Sequence, residues 1–206
     1  MPLRWILKGL KRGVLTHDYP KRGRPPEGVA PEVVPEEPVE CPFGASTEEG
    51  VDPSACLNCG LCGDVERRST LGDVDVRGEL GGSLRRSLHV FFLDVGSCTA
   101  CNTEVALVKC PYYDSDRLGI FFTPTPKHAD VLLVVGAVTE GMRPVLEEAY
   151  EAMPEPKAVV AVGTCACSGG PFGDPVSSVV DVDAEAHGCP PHPLTVLEAL
   201  MGVAGR

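Results

Sequence analysis

The sequence predicts an α/β fold built on a doubly wound parallel sheet, preceded by an irregular, cysteine-rich extension. Three observations predict it. Five short, apolar, β-branched runs recur after Ser87: His89–Asp94, Gly119–Thr123, Val131–Val135, Ala158–Val162 and Val179–Val182. Strands buried on both faces of a parallel sheet read this way. Helical patterns alternate with the runs, as strand–helix–strand units require. Cysteines follow the runs: Cys98 and Cys101 after the first, Cys165 after the fourth, and Cys189 a few residues past the fifth. An open α/β sheet binds its ligands beyond the carboxyl ends of its strands.

The elements follow in chain order. Leu3, Ile6, Leu7, Leu10 and Val14 fall at helical spacing, with Arg4, Lys8, Lys11 and Arg12 on the other faces. This predicts a short basic amphipathic helix over 3–15, which either covers the protein's own core or docks on a membrane-embedded partner. From Tyr19 to Pro42 the chain is rich in Pro, Gly, Glu and Val without periodicity and reads as an extended linker. Residues 64–87 are polar and Gly/Arg-rich and read as a tether. After Ser87, helices are expected from Asn102 to Lys109, from Arg143 with Pro144 in its first turn, and from about Leu194 to Gly202. The result is a flavodoxin-like sheet. Residues 1–40 form the helix and linker, 41–86 a small ferredoxin-like segment, and 87–206 the sheet domain.

Totals narrow the chemistry. The 206 residues suffice for one full core and a small satellite. The first 20 residues alternate apolar and basic, so no cleavable signal peptide is expected. With ten cysteines, metal ligation is then favoured over a disulfide framework. No apolar run approaches the roughly 20 residues that span a bilayer. The net charge is −11, from 18 basic and 29 acidic residues; seven of the basic residues but only one acid lie before Pro25, which leaves the body strongly acidic. Nucleic-acid binding by that body is excluded on this balance.

Two cysteine sets carry the candidate chemistry. Cys98 and Cys101 form a C-x2-C pair at a strand-to-helix turn, where free backbone N–H groups favour thiolates. Cys165 lies in GTCACSGG, whose glycines permit close backbone approach, and Cys189 in HGCPPHP, whose prolines stiffen the loop. Ligands from separate strand ends in glycine loops suit a 4Fe-4S cluster, with a zinc ion as the alternative. The second set is Cys56-x2-Cys59-x2-Cys62 with Cys41 upstream, beside a proline. The tight run favours iron–sulfur over structural zinc, and Cys41 is its least firmly indicated member, because a distant fourth cysteine usually lies downstream.

The region from about Leu88 to Gly205 resembles the small-subunit family shared by nickel–iron hydrogenases and the 20 kDa subunit of respiratory complex I. It is most like the small subunits of membrane-bound, energy-converting hydrogenases and formate hydrogenlyases. The residues that carry the resemblance are CTACNTE from Cys98 to Glu104, the stretch from Asp116 to Met142, GTCACSGG and GCPPHP. The resemblance implies that Cys98, Cys101, Cys165 and Cys189 hold a proximal 4Fe-4S cluster next to the nickel–iron site of a separate hydrogenase large subunit, with a complex I 49 kDa-like subunit as the alternative partner. Complex I members typically carry two adjacent cysteines in the first motif, whereas C-x2-C is the hydrogenase pattern. The start of the chain also resembles ferredoxin-like subunits that lie against the membrane arm. This implies ferredoxin-type and membrane-arm partners and a cytoplasmic, peripheral position on the inner face of the cell membrane. Two departures are His187, where relatives commonly have proline, and Glu140, where a basic residue is usual.

The remaining candidates read more plainly. Glu104 is either a solvated helix residue or, as the resemblance implies, a member of a proton path. Cys110 and Cys167 read as structural thiols, although Cys110 precedes Pro111 as a ferredoxin-end cysteine does and Cys167, two residues from Cys165, is an alternative ligand. Among the histidines only His187, beside a cluster cysteine, is a candidate, as a hydrogen-bond donor to cluster sulfur. GTCACSGG matches neither a dinucleotide fingerprint nor a phosphate-binding loop, so neither nucleotide nor FMN is expected. The chemistry of bond making is expected in a partner, which leaves this chain to position and tune electron carriers. A zinc-stabilised adaptor without redox role is the alternative of another class.

Overall fold

The computed structural model describes residues 3–21, 30–34, 40–47, 50–62, 66–70 and 74–206. Parts of the expected linker and tether, and Gly63 beside the second cysteine run, lie outside these residues.

The chain opens with α1 (Leu3–Arg12). None of its residues is buried, and Leu3, Trp5 and Leu10 are exposed. The helix therefore covers none of the protein's own core, which removes the first of its two expected roles. Residues 16–20 instead pack on the sheet domain. The His17 N–H donates to the Tyr112 carbonyl at 2.7 Å, and Arg117 Nη2 donates to the carbonyls of His17 and Tyr19 at 3.1 and 2.8 Å.

The linker and tether are less irregular than their composition suggests. β1 (Ala30–Val34) pairs antiparallel with β4 (Glu66–Thr70), and between them β2 (Ser46–Thr47) pairs antiparallel with β3 (Gly50–Val51). β5 (Val74–Val76) belongs to the main sheet as its antiparallel edge. A stretch expected as tether thus supplies a strand.

The rest alternates: β6 (Leu88–Asp94), α2 (Ala100–Val108), β7 (Ile120–Thr123), β8 (Val131–Val135), α3 (Arg143–Ala152), β9 (Ala158–Val162), α4 (Thr164–Ser168), β10 (Ala184–Ala186) and α5 (Pro193–Val203). The sheet order is β5-β10-β9-β8-β6-β7, with the last five strands parallel. Numbering only the parallel strands gives the flavodoxin-like order 2-1-3-4-5.

One expected strand is corrected. Val179–Val182 is not extended in the sheet; it follows a 3-10 turn at Val176–Ser178, and Val176 and Val180 pack into the core as loop residues. The fifth parallel strand is β10, whose sequence is Ala-Glu-Ala. The run has better strand composition, but its apolar side chains are spent on packing beneath α3 and α4 rather than on pairing.

Strand pleating sorts the core into two layers. Val131, Leu133 and Val135 of β8 face α2 and α5, while Leu132 and Val134 face α3 and α4. Every residue of β8 and β9 is buried, the signature of a sheet covered on both sides. α5 closes one layer, with nine of its residues buried. Among the described residues no helix is long and apolar enough to cross a membrane.

Candidate functional site

The site lies where β6, β9 and β10 end on one edge of the sheet. β6 stops at Asp94, whose carboxylate fastens the turn that follows. Oδ1 accepts from the N–H groups of Gly96 and Ser97 at 3.0 and 2.8 Å; Oδ2 lies 2.8 Å from Ser97 Oγ and accepts from Asn102 Nδ2 at 2.7 Å. Burial alone would raise this carboxyl, but the bonds from Asn102, Gly96 and Ser97 outweigh it and hold the group below its ordinary value. Gly96 sits at φ +141°, and a Cβ there would lie 2.6 Å from the Ala137 carbonyl oxygen, so a side chain would part the ends of β6 and β8. Thr99, in the left-handed region at φ +72°, kinks the chain between Cys98 and Cys101 as α2 begins.

The other two arms are tied together by their backbones. The Gly163 N–H donates to the Ala186 carbonyl at 2.8 Å, and the Thr164 N–H to the Gly188 carbonyl at 3.0 Å. This holds the start of α4, with Cys165, against the loop that carries Cys189. Gly163 adopts φ +87°, and a Cβ on it would lie 2.5 Å from Cys101 Sγ. Only glycine lets Cys101 of α2 come this close to the β9–α4 turn.

The four thiols act on one another. Burial pushes the Cys101 thiol up to about 12, and Cys189, Cys165 and Cys98 push it in the same direction. Cys189 is pushed up to about 11 by burial, then by Cys165 and Cys98, then by Cys56 and Cys59. Cys165 rises with burial and the nearness of Cys98. Cys101 and Cys165 are buried, Cys189 is partly buried, and Cys98 is exposed. Four mutually repelling thiolates from three strand ends fit a polynuclear iron core, whose positive charge offsets the repulsion and whose binding releases the thiol protons.

The second set also converges. Cys41, Cys56, Cys59 and Cys62 line one small pocket with Phe43, Val51 and Leu57 among its apolar walls. Cys41, the member least firmly indicated by sequence, is therefore placed with the other three. Positive φ at Asn58 (+51°) and Gly60 (+75°) curls the run back on itself, and the Asn58 N–H points at Cys56 Sγ at 3.4 Å. The Cys56 thiol is raised by burial and by Cys62, Cys59 and Cys41, against the Asn58 bond that lowers it. Thr164 Oγ1 donates to the Cys56 carbonyl at 3.0 Å, which fastens this segment to α4 beside the first site.

The remaining candidates separate. Glu104 is partly buried, with its carboxyl raised by that burial; burial also raises the Tyr113 phenol, with Tyr112, Cys110 and then Glu104 pushing the same way. Cys110 sits in the turn that ends α2, where its carbonyl accepts from the Tyr113 and Asp114 N–H groups. His192 caps α5 by accepting from the Leu194 N–H at 3.2 Å. His187 is buried, with Nε2 3.2 Å from Glu185 Oε2 and, among the described residues, no partner for Nδ1. Three contributors lie outside the sequence-predicted site residues: Asp94, Thr164 and the ion pair of Arg77 with Glu185, Nη2 to Oε1 at 3.1 Å. Asp94 and Thr164 carry a signal, since each closes a strand or opens a helix next to a cysteine; Arg77 and Glu185 carry none.

Residues 98–203 match the family described as "NADH ubiquinone oxidoreductase, 20 Kd subunit". The chain belongs to that family. An uncharacterised protein of Methanocaldococcus jannaschii is 44% identical over 127 residues, which are 59% of this chain and 86% of that protein. Formate hydrogenlyase subunit 7 of Escherichia coli is 38% identical over 120 residues, covering 55% of this chain and 47% of that protein, so the chain spans about half of that relative's length. A chain of the membrane-bound sulfane sulfur reductase, an archaeal respiratory membrane complex, superposes with a TM-score of 0.53 and 28% identity over 60% of this chain and 71% of that one. As a member of the 20 kDa family, shared with hydrogenase small subunits, the chain is an oxidoreductase subunit. The matched region begins at Cys98 and contains Cys101, Cys165 and Cys189; the N-terminal set lies ahead of it.

Proposed function

We propose that this chain is the electron-transfer subunit of a membrane-associated nickel–iron hydrogenase of the energy-converting type. In this reading Cys98, Cys101, Cys165 and Cys189 hold a proximal 4Fe-4S cluster, and Cys41, Cys56, Cys59 and Cys62 hold a second one. Bound clusters of this kind supply one-electron carriers. The observation that carries the reading is the adjacency of the two sets: Cys56 and Cys59 act on Cys189, and Thr164 hydrogen-bonds Cys56 from the helix that bears Cys165.

The chain's own residues do the positioning. Asp94 and Asn102 fix the turn that presents Cys98, Gly163 admits Cys101, and the Gly163 and Thr164 amides lock the Cys165 and Cys189 loops to one spacing. Cys98 is exposed, and the partner large subunit covers that edge. Glu104, partly buried beside Tyr113, is placed to hold a proton near the same edge. The basic, fully exposed α1 docks on the membrane arm, which keeps the assembly peripheral on the inner face of the membrane.

Hydrogen-dependent dye reduction by the complex, isolated without oxygen, tests the reading. Activity supports a hydrogenase. Its absence, with quinone reduction in its place, supports the second reading: a complex I-type module, favoured by the description of the matched family. The C-x2-C spacing of Cys98 and Cys101 favours the first. A colourless chain whose zinc content matches its cysteine sites would instead support an adaptor without redox role.

A further inference from the structure

Cys167 of α4, Glu185 of β10 and His187 just beyond it bring one sulfur, one oxygen and one nitrogen within 4.8 Å of one another. None of the three belongs to either four-cysteine set. Glu185 and His187 are each 8% exposed, so two ionisable groups are held inside the protein at the end of a core strand. The 3.2 Å between Glu185 Oε2 and His187 Nε2 is close to the edge of a tetrahedron of ligands about 2.0–2.1 Å from a central ion, which is roughly 3.3 Å. Arg77 Nη2 lies 3.1 Å from the other oxygen, Glu185 Oε1. Oε2 faces His187 Nε2, and the arginine contact on Oε1 resembles the outer hydrogen bond that ligating carboxylates usually accept. Cys167 Sγ makes a long contact of 3.8 Å to the Ala161 carbonyl, too weak to occupy the sulfur. His187 Nδ1 has no partner among the described residues; with the ring proton carried there, the Nε2 lone pair turns to the ion in place of the hydrogen bond to Glu185.

We infer that Cys167, Glu185 and His187 form a binding site for one borderline-soft divalent cation of the zinc class. Thiolate, carboxylate and neutral imidazole are all zinc ligands, and three of them leave the fourth position for water. Hard cations such as magnesium and calcium require oxygen donors, and cuprous ion prefers sulfur, so the mixed set selects against both. The two anionic ligands balance the ion's charge, which suits a buried place. Cys167 lies two residues after Cys165 and His187 two before Cys189. The ion therefore clamps α4 to the end of β10 and stiffens two arms of the neighbouring site. These residues are separate from both proposed cluster sites, so the inference stands or falls independently of the electron-transfer reading.

The test uses the full chain, purified without oxygen, loaded with iron and sulfide, stripped with EDTA and then given zinc chloride before gel filtration. The expected result is one zinc per chain with no loss of iron, and a zinc absorption-edge spectrum showing one sulfur and otherwise nitrogen or oxygen neighbours. Cys167→Ala and Glu185→Gln each remove a direct ligand and should weaken zinc binding by more than the roughly 10–100-fold that loss of an outer partner costs while iron content holds, and Cys110→Ser should change neither. A chain that loads no iron yet keeps one zinc in the mixed shell would sink the cluster reading and retain this site. Zinc that is not retained, that sits in an all-sulfur shell with matching loss of iron, or that binds Cys167→Ala as tightly as the parent would overturn the inference.

Discussion

Gly163 is the residue at which the site has least room. A methyl group there would meet Cys101 Sγ at 2.5 Å while the backbone stays at φ +87°, so Gly163→Ala forces Cys101 or the β9–α4 turn to move. We expect that variant to fold, because the surrounding strands are untouched, but to take up markedly less iron on anaerobic reconstitution, as read by iron analysis. Asp94 gives a pH prediction. Its carboxyl is held below the ordinary value in the folded chain, so its contribution is present above the unfolded value near 4 and is lost as pH falls through the folded one. Thermal melts of the cluster-free chain should fall more between pH 5 and pH 3 for the parent than for Asp94→Asn; equal losses would remove Asp94 from this role. At this scale the sequence was most legible for the cysteines, because C-x2-C and C-x2-C-x2-C spacing is itself the geometry of a shared ligand. It was least legible for Glu185 and Arg77, whose meaning arises only from a strand pairing that no local pattern encodes.

Among the elements, β8 and β9 were legible to the residue, because continuous Val, Leu and Ala runs are what strands covered on both faces need. Leu133 lies fully buried in β8, and Leu133→Ala should cost about 2–5 kcal/mol of stability in urea unfolding. β10 was not legible. Three residues, Ala-Glu-Ala, carry no strand propensity, and their place is set by parallel pairing with β9 and by the antiparallel edge strand β5. The nearby Val179–Val182 run drew the expectation away because loop residues that fill a core look like strand residues in sequence. β1 and β4 were missed for the opposite reason: Pro31 and the charged Glu66–Arg68 resemble linker, and only their mutual pairing makes them strands.

The whole molecule is a sheet domain with a small cysteine-bearing segment fastened beside its working edge. Thr164 makes that connection directly. Thr164→Val keeps the shape and removes the donor, so the N-terminal cysteine cavity should loosen, with faster chelator-driven loss of about half the bound iron and slower loss of the rest. Uniform loss from both sites would show that the segment is held by other contacts. Exposed Cys98, exposed Phe172 and the unburied α1 mark surfaces that a lone chain leaves bare, and the isolated chain should therefore be less soluble than the assembled complex. The most direct test of the central claim is iron and acid-labile sulfide content, with electron paramagnetic resonance, on the full chain purified without oxygen. The two-cluster account predicts about eight irons and about eight sulfides per chain, with signals from two 4Fe-4S centres on reduction. A chain without iron whose cysteine sites are filled by zinc would contradict it.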